Sequence, residues 1–269
     1  MGAFANNNLH RQMKRRKFMA ASSLLGMGAV APALAAQSVK KNDKEVYELR
    51  TYETKMGGMG RLEAYIQTAL MPALNRMGAS KVGVFKEMSK DDPAKLHVLI
   101  AYSKQEQYFT IHSQLKTDAD YLKAADTYLQ TPPDKATFDR MSSSLMVAFD
   151  GMPKLATPSK EPRIMELRTY ESYNEDAARR KIKMFNDGEI AVFNKVKLNI
   201  VFFGEVLIGP RMPCLTYMLT FKNMEERNAN WAQFSADPDW KQLSGAPEYA
   251  NTVSRIARVF LEPTAYSQI

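Results

Sequence analysis

A chain of 269 residues is long enough for one large domain or two smaller ones, and either can bury an adequate core. The formal net charge is +8, but five of these charges lie within residues 1–35, where no acidic residue occurs. The remaining sequence contains no basic patch with interleaved aromatic residues, which argues against a nucleic-acid partner. Cys214 is the only cysteine, so an intramolecular disulfide is excluded, and we expect its side chain to be a small buried apolar group.

Residues 1–35 have the layout of an export signal. A basic segment precedes an apolar run from Phe18 to Ala31, and Ala33-Leu34-Ala35 forms a small-residue cleavage site. The run is too short to span a membrane, so no membrane span is expected after cleavage. The core Arg15-Arg16-Lys17-Phe18-Met19 resembles the twin-arginine signal of bacteria, which implies a periplasmic or secreted protein. A general secretory signal with a chance arginine pair is the alternative.

A hexapeptide occurs twice and divides the mature chain. Glu48-Leu49-Arg50-Thr51-Tyr52-Glu53 recurs letter for letter as Glu166-Leu167-Arg168-Thr169-Tyr170-Glu171. The separation far exceeds the roughly 20 to 50 residues of a solenoid repeat, so each copy is expected to begin a domain-sized unit.

In the first half, hydrophobic periodicity predicts the order strand, helix, strand, strand, helix, strand. A kink is expected at Pro72, and Pro132-Pro133 closes the second helical region. The predicted elements are a strand over 46–53, a helix with apolar residues at helical spacing over 62–77, strands over 81–88 and 95–103, a helical region over about 105–129, and a strand over 142–149.

The second half repeats this order after a proline-rich linker. Phe85-Lys86-Glu87 matches Phe203-Gly204-Glu205 at the hexapeptide spacing, and Asp118-Ala119-Asp120-Tyr121 matches Asp237-Pro238-Asp239-Trp240 one residue further along. The predicted elements are a strand over 164–171, a helix over about 175–195, strands over 199–207 and 214–221, a helix over 224–235, and a strand over 252–261.

The β-α-β-β-α-β order is the ferredoxin-like layout, in which helices cover one face of an antiparallel sheet. Two tandem units can bury the other faces by packing sheet to sheet, which predicts an α+β fold forming a pseudo-dimeric α/β barrel. Such a chain is expected to be a monomer with pseudo-two-fold symmetry or a higher homo-oligomer. The predicted divisions are a signal over 1–35, a polar linker over 36–45, a first unit over 46–150, a linker over 151–162, a second unit over 163–263, and a tail over 264–269.

The repeated Glu-Leu-Arg-Thr-Tyr starts, the Asp-Pro-Asp-Trp turn and the duplicated units resemble the NIPSNAP family, whose domains belong among the dimeric α/β barrels. The resemblance runs from about Val46 to Pro263. It implies the fold far more firmly than an activity.

Alternate residues of a strand share a face, which allows candidate binding residues to be assigned. Because Tyr47, Leu49 and Thr51 form the more apolar set, we expect them to face the helices. The other set is then expected to line the barrel interior, where the arginines either clamp an anionic or carbonyl ligand or pair with Glu48, Glu166, Glu87 and Glu205 to fix the packing. The interior set is Glu48, Arg50, Tyr52, Glu166, Arg168 and Tyr170.

Two histidines follow the signal. If Leu96, Val98 and Ile100 face the helices, His97 faces the interior, as a base, a metal ligand or a hydrogen-bonded core residue. His112 is expected to pack or to lie at the surface. Barrels of this type include haem peroxidases, and haem needs an axial ligand that only these histidines offer. The sequence shows no metal-ligand spacing, phosphate loop or nucleophile elbow, so neither a metal nor a cofactor other than haem is predicted.

The residues favour a protein that binds a small polar or anionic ligand inside the barrel, and they do not establish whether it is an enzyme. One alternative is a cofactor-independent oxygenase or isomerase acting on a carbonyl compound, and another is a haem-binding barrel. A third is an interaction module in which Trp231 and Trp240 form an exposed aromatic patch.

Overall fold

The computed structural model describes residues 44–269. The predicted signal peptide of residues 1–35 and most of the polar linker of residues 36–45 lie outside the described residues. Across residues 44–269, no helix combines the length and the apolar character that crossing a membrane requires.

The first half has the predicted order of elements, and each predicted helical region consists of two helices. The break in the second region falls at Asp118, whose side chain accepts a hydrogen bond from the Tyr121 backbone N–H and so caps a new helix. The elements are β1 (Val46–Thr54), α1 (Met59–Tyr65), α2 (Met71–Arg76), β2 (Ala79–Glu87), β3 (Lys95–Tyr102), α3 (Gln105–Leu115), α4 (Ala119–Leu129) and β4 (Phe138–Ala148).

The second half repeats this arrangement. Asp237 caps a helix in the same way as Asp118, so the predicted Asp-Pro-Asp-Trp turn is a helix start. The elements are β5 (Ile164–Glu171), α5 (Glu175–Met184), α6 (Ile190–Lys195), β6 (Asn199–Ile208), β7 (Cys214–Phe221), α7 (Met224–Ala236), α8 (Pro238–Ser244) and β8 (Arg255–Pro263).

One π-helical turn interrupts the first helical region of each half. The turns span Ile66–Leu70 and Phe185–Glu189. Pro72 follows the first turn, but Ala191 holds the same place after the second. The irregularity therefore recurs without a proline, and in the first half it directly precedes the helix that contains Pro72.

All eight strands form one closed antiparallel barrel in the order β1-β3-β2-β8-β5-β7-β6-β4. Each half supplies a four-stranded sheet, and two short seams join the sheets: 85–87 of β2 pairs with 261–263 of β8, and 145–148 of β4 pairs with 204–208 of β6. The predicted α+β fold of two ferredoxin-like units joined as a pseudo-dimeric α/β barrel is confirmed.

Both faces of each sheet are buried, which gives the protein three hydrophobic layers. One layer lies between the first-half helices and their sheet, and a second lies between the second-half helices and theirs. The third fills the barrel interior, where the inward side chains of both sheets meet. Tyr47, Leu49, Phe85, Phe202 and Met218 belong to this interior layer.

The tail after β8 packs against the barrel. The Gln268 backbone N–H donates to the Val82 carbonyl at 3.0 Å, and the Ser267 hydroxyl accepts from the Val84 N–H at 3.0 Å. The Ile269 side chain is fully buried in the interior layer. Because Ile269 contacts the position of Gly83, any side chain at Gly83 would collide with it and with the Phe85 ring. Residues 264–269 therefore close one end of the barrel.

Candidate functional site

The repeated hexapeptides present their first glutamate and their arginine to the helices. Arg50 Nη2 lies 3.0 Å from His112 Nε2 on α3, and the Trp231 indole N–H on α7 donates to Glu166 Oε2 at 2.9 Å. Tyr47 and Leu49 instead belong to the interior layer. The predicted interior placement is therefore wrong for Glu48, Arg50, Tyr52, Glu166, Arg168 and Tyr170.

The first-half cluster is held together by the Glu48 carboxylate, which is 3% exposed. Arg50 donates two hydrogen bonds to it, at 2.7 and 3.0 Å, and the Tyr102 and Ser143 hydroxyls donate at 3.0 Å each. Burial by itself raises the pKa of Glu48, but Arg50, His112 and the Tyr102 hydroxyl together outweigh it, so the pKa lies below its ordinary value. Tyr52 packs nearby, edge-on to Phe138.

The second-half cluster uses different partners around the same acid and arginine. Glu166 is fully buried and accepts from Arg168 at 2.8 Å, from Arg227 at 2.8 and 2.9 Å, and from Trp231. These donors hold the pKa of Glu166 below its ordinary value against the opposing effect of burial. Tyr170 accepts from the Tyr217 hydroxyl at 2.8 Å.

These geometries favour the packing interpretation of the repeated acid–arginine pair. In the second half the buried Glu166 carboxylate joins the sheet to α7 through charge-assisted hydrogen bonds, and in the first half Arg50, held by the buried Glu48 carboxylate, contacts His112 of α3. The predicted pairing of each arginine with Glu48 or Glu166 is present, whereas Glu87 and Glu205 take no part in either cluster.

The candidate site lies at the end of the barrel opposite Ile269. It is a cavity of about 260 Å³, which we call the barrel-mouth cavity, and inward-facing residues from all eight strands line it. The lining consists of Leu49, Thr51, Glu53, Glu87, Lys95, His97, Ser142, Ser144, Leu167, Thr169, Val206, Pro210, Arg211, Cys214, Thr216, Ala257 and Val259.

His97 is the one predicted site residue that lines this cavity. Leu96, Val98 and Ile100 pack in the helix-side layer of the first half, so the alternate residue His97 points inward. Its side chain is 5% exposed, and both ring nitrogens have partners: Nε2 lies 2.9 Å from Glu87 Oε1, and Nδ1 lies 3.0 Å from Thr51 Oγ1.

The partners of His97 fix its tautomer. The hydrogen bond from His97 lowers the pKa of Glu87 although burial opposes this, so the carboxyl group is ionised near neutral pH and can only accept. His97 Nε2 therefore carries a proton. In the neutral ring Nδ1 has a lone pair, which accepts the hydrogen bond from the Thr51 hydroxyl.

The two halves contribute unlike walls to the cavity. Strand register makes Thr216 the counterpart of His97 and Val206 the counterpart of Glu87. It also makes Ala257 and Val259 the counterparts of Ser142 and Ser144. The first half thus supplies an acid, an imidazole and two hydroxyls, where the second half supplies a hydroxyl and three apolar side chains.

A β-bulge explains why the second half lacks the acid. The register of β6 shifts between Ile200 and Phe202, which turns Gly204 and Val206 inward and leaves Glu205 on the exposed outer face. The sequence match of Glu87 with Glu205 is therefore wrong by one residue, because Val206 is the structural counterpart of Glu87. In the interior, Phe85 and Gly83 of β2 correspond to Gly204 and Phe202 of β6, so each sheet contributes one phenylalanine, from alternate positions.

The other singled-out side chains have packing roles. Burial raises the pKa of Cys214 to about 11, so its thiol stays protonated in the cavity wall. His112 bridges Arg50 and the Tyr108 carbonyl, which lies 2.8 Å from Nδ1. Trp231 and Trp240 are half-buried in the second helix-side layer beside Phe234, so the two indoles do not form the exposed aromatic patch expected of an interaction module.

The residues do not fit haem. An axial ligand needs a free imidazole nitrogen, whereas His97 uses both nitrogens on Glu87 and Thr51, and His112 uses both on Arg50 and Tyr108. Within residues 44–269, no three side chains among His, Cys, Asp and Glu lie close enough together to hold a metal ion.

The fold and the cavity define a class of protein: a single-chain α/β barrel built from two ferredoxin-like halves, with a one-sided polar cavity at one end. Residues 165–268 match the NIPSNAP family model, which agrees with the resemblance drawn from the sequence for that half. No curated protein matches the chain in a sequence comparison.

Solved structures share this architecture at low identity. A proposed monooxygenase from Fusobacterium nucleatum is 8% identical, with a TM-score of 0.55, over 82% of this chain and 92% of its own. An anthrone oxidase-like protein is also 8% identical over the same shares, with a TM-score of 0.50. An uncharacterized NIPSNAP-like domain protein from Burkholderia xenovorans is 21% identical over 39% of this chain and 88% of its own, with a TM-score of 0.36. The first two likenesses establish the fold alone.

Proposed function

We propose that the protein binds a small molecule in the barrel-mouth cavity, with the polar end of the ligand against the first-half wall and its apolar part against the second-half wall. The observation that carries this proposal is the unlike lining of two walls that share one fold. A duplicated barrel whose interior served only as packing would gain nothing from a buried acid and imidazole in one half.

The size of the cavity limits the ligand. Its volume of about 260 Å³ lies just below the roughly 300–1,000 Å³ of pockets for drug-sized molecules, so a small metabolite suits it. Glu87 is ionised beside His97 and opposes an anion deep in the cavity. Lys95 and Arg211 lie in the same lining, so the cavity wall carries charges of both signs. We therefore favour an uncharged carbonyl or hydroxyl group as the polar end.

Filling the cavity tests the proposal. Hexan-2-one, hexan-1-ol and hexanoate are added to the purified protein, and the melting temperature Tm is followed. At about 100 times its Kd a ligand stabilises by about 2.7 kcal/mol, which is expected to raise Tm by several degrees. The Ala257→Leu variant places extra carbons in the apolar wall and is expected to lose this response.

Ile256→Leu is the matched control, because Ile256 is the neighbouring residue on β8 and is 48% exposed on the outer face. It is expected to keep the full ligand response. The proposal fails if no probe stabilises the native protein, or if the probes stabilise Ala257→Leu as strongly as the control.

We also propose that the first half is a diverged NIPSNAP domain. The identical hexapeptides and the equivalent strand orders of the two sheets support this. Related chains in which the first half lacks both the hexapeptide and the β-α-β-β-α-β order would contradict it.

Export by the twin-arginine route is a further part of the proposed function, supported by Arg15-Arg16 and the short apolar run after it. A variant with Arg15→Lys and Arg16→Lys keeps the positive charge of the segment. The variant is expected to remain in the cytoplasmic fraction of a bacterial host, while the native chain reaches the periplasm. Undiminished export of the variant indicates the general secretory route instead.

A further inference from the structure

We infer that His97, oriented by Glu87, activates the Thr51 hydroxyl as a nucleophile toward small esters bound in the barrel-mouth cavity. This inference deepens the proposed function, because the ester must first occupy that cavity. It assigns an acyl-transfer reaction to the site, with the first half as the reactive wall.

The three side chains form a continuous hydrogen-bonded chain. The Thr51 hydroxyl lies 3.0 Å from His97 Nδ1, and His97 Nε2 lies 2.9 Å from Glu87 Oε1. A hydroxyl within reach of a base that is itself oriented by a third group is the arrangement that activates nucleophiles. Here the carboxylate holds the Nε2 proton, which leaves the Nδ1 lone pair to accept the Thr51 proton.

Strand register brings further donors to the reacting group. Thr51 pairs directly with His97 of β3 on one side and with Ser142 of β4 on the other, and all three line the cavity. Ser144 lines the same wall. The two serine hydroxyls are donors for the oxyanion that forms when a carbonyl carbon is attacked.

The second half provides an internal comparison, because its equivalent threonine has no base beside it. Thr169 has the same place on β5 as Thr51 on β1, but its partner across the ladder is the Thr216 hydroxyl at 3.0 Å. A hydroxyl is not a base near neutral pH, and Val206 stands where Glu87 would be. Cys214 is not an alternative nucleophile, since its thiol stays protonated.

The reaction balances without a co-reactant other than water. Thr51 Oγ1 forms a bond to the ester carbonyl carbon while its proton passes to His97 Nδ1, and the Glu87 carboxylate stabilises the imidazolium. The carbon–oxygen bond to the leaving alkoxide then breaks, and His97 gives that alkoxide the proton. Water attacks the acyl-threonine ester, its proton again passing through His97, which releases a carboxylic acid and restores Thr51.

The test uses the purified protein and p-nitrophenyl butyrate. Nitrophenolate release is followed by absorbance, and a mass increase of one butyryl group is sought on the peptide that contains Thr51. Thr51→Val keeps the shape without the hydroxyl, and His97→Thr copies the second half. Each is expected to lower the rate by about 10²–10⁴-fold, the usual contribution of a positioned acid–base group.

Thr220→Val is the matched control, because it removes a threonine hydroxyl from β7 that lies outside the cavity lining and donates to the Ile164 carbonyl at 3.3 Å. It is expected to keep the native rate and the acylated Thr51 peptide. The inference is overturned if the native protein does not exceed the buffer rate, if Thr51→Val keeps the activity, or if Thr220→Val loses it equally. The acyl mass on the native chain is decisive even if Thr51→Val does not fold.

Failure here is distinguishable from failure of the proposed function. If hexan-2-one raises Tm and the ester is not hydrolysed, the cavity binds ligands and the acyl-transfer inference alone is wrong. If neither occurs, both are wrong.

Discussion

Replacing Glu189 alone by leucine is expected to lower the free energy of unfolding by about 3–5 kcal/mol, because Lys181 would remain as an unpaired buried charge. Replacing both residues, in Lys181→Leu/Glu189→Leu, is expected to leave the protein as stable as the native chain or more so. Urea unfolding followed by circular dichroism at neutral pH measures both.

The structure gives the reason for the difference. Lys181 Nζ lies 2.6 Å from Glu189 Oε2, and both side chains are at most 5% exposed. Lys181 also lies over the Phe185 ring, 4.6 Å from its centroid. Burial raises the pKa of Glu189 although Lys181 opposes this, so the ionised pair is costly to keep.

The first half already contains the apolar alternative. Leu62 and Leu70 stand at the equivalent places around the first π-helical turn, and both are fully buried.

The folded-state pKa of Glu189 lies above its unfolded value. The stability that this group contributes is therefore full at low pH and is lost as pH rises through the folded pKa. The double variant should therefore lose this pH dependence. A large destabilisation of the double variant would contradict the argument and show that the pair is a net stabiliser.

Glu166→Ala is expected to cost about 3–5 kcal/mol of unfolding free energy, the penalty for breaking a buried ion pair. The substitution leaves Arg168, Arg227 and the Trp231 N–H without their shared acceptor. Chemical unfolding at constant salt measures the loss.

Glu205→Ala is the control, since Glu205 is exposed on β6 and a surface change of this kind is usually within about 0.5 kcal/mol of native. The lowered pKa of Glu166 adds a pH test. A depressed folded pKa gives stability that is present above the unfolded value, near pH 4.3 for glutamate, and that is lost as pH falls further. Equal stability of Glu166→Ala and Glu205→Ala would refute the anchoring role.

The fold was predictable because its two signals are local and repeated. The identical hexapeptides mark the first strand of each half, and the helical and strand periodicities between them give the ferredoxin-like order twice. Closure into a barrel follows because each sheet must bury the face that its helices leave bare.

The inward face was not predictable from polarity, because both faces of each sheet are buried. Tyr47 and Leu49 are apolar and fill the barrel, while Glu48 and Arg50 are charged and pack beneath the helices as a neutralised pair. The usual contrast between an apolar inner face and a polar outer face is absent in such a sheet. His97 was placed correctly by a different signal, since its neighbours Leu96 and Val98 are apolar enough to identify the helix side.

The other cavity residues were not predictable, because the sequence does not show which residues of their strands face inward. Ser142 and Ser144 line the cavity only because of the β1–β4 register, and the run Ser142-Ser143-Ser144 does not indicate which members face inward. Glu87 and Glu205 looked equivalent until the irregularity in β6 separated them.

The buried tail residue Ile269 limits access to the barrel interior. Ile269 and Tyr47 are fully buried in the interior layer, at the end of the barrel opposite the cavity. Under the proposed function, a ligand would therefore enter and leave through the mouth of the cavity, and a bound ligand would have to dissociate before another could bind.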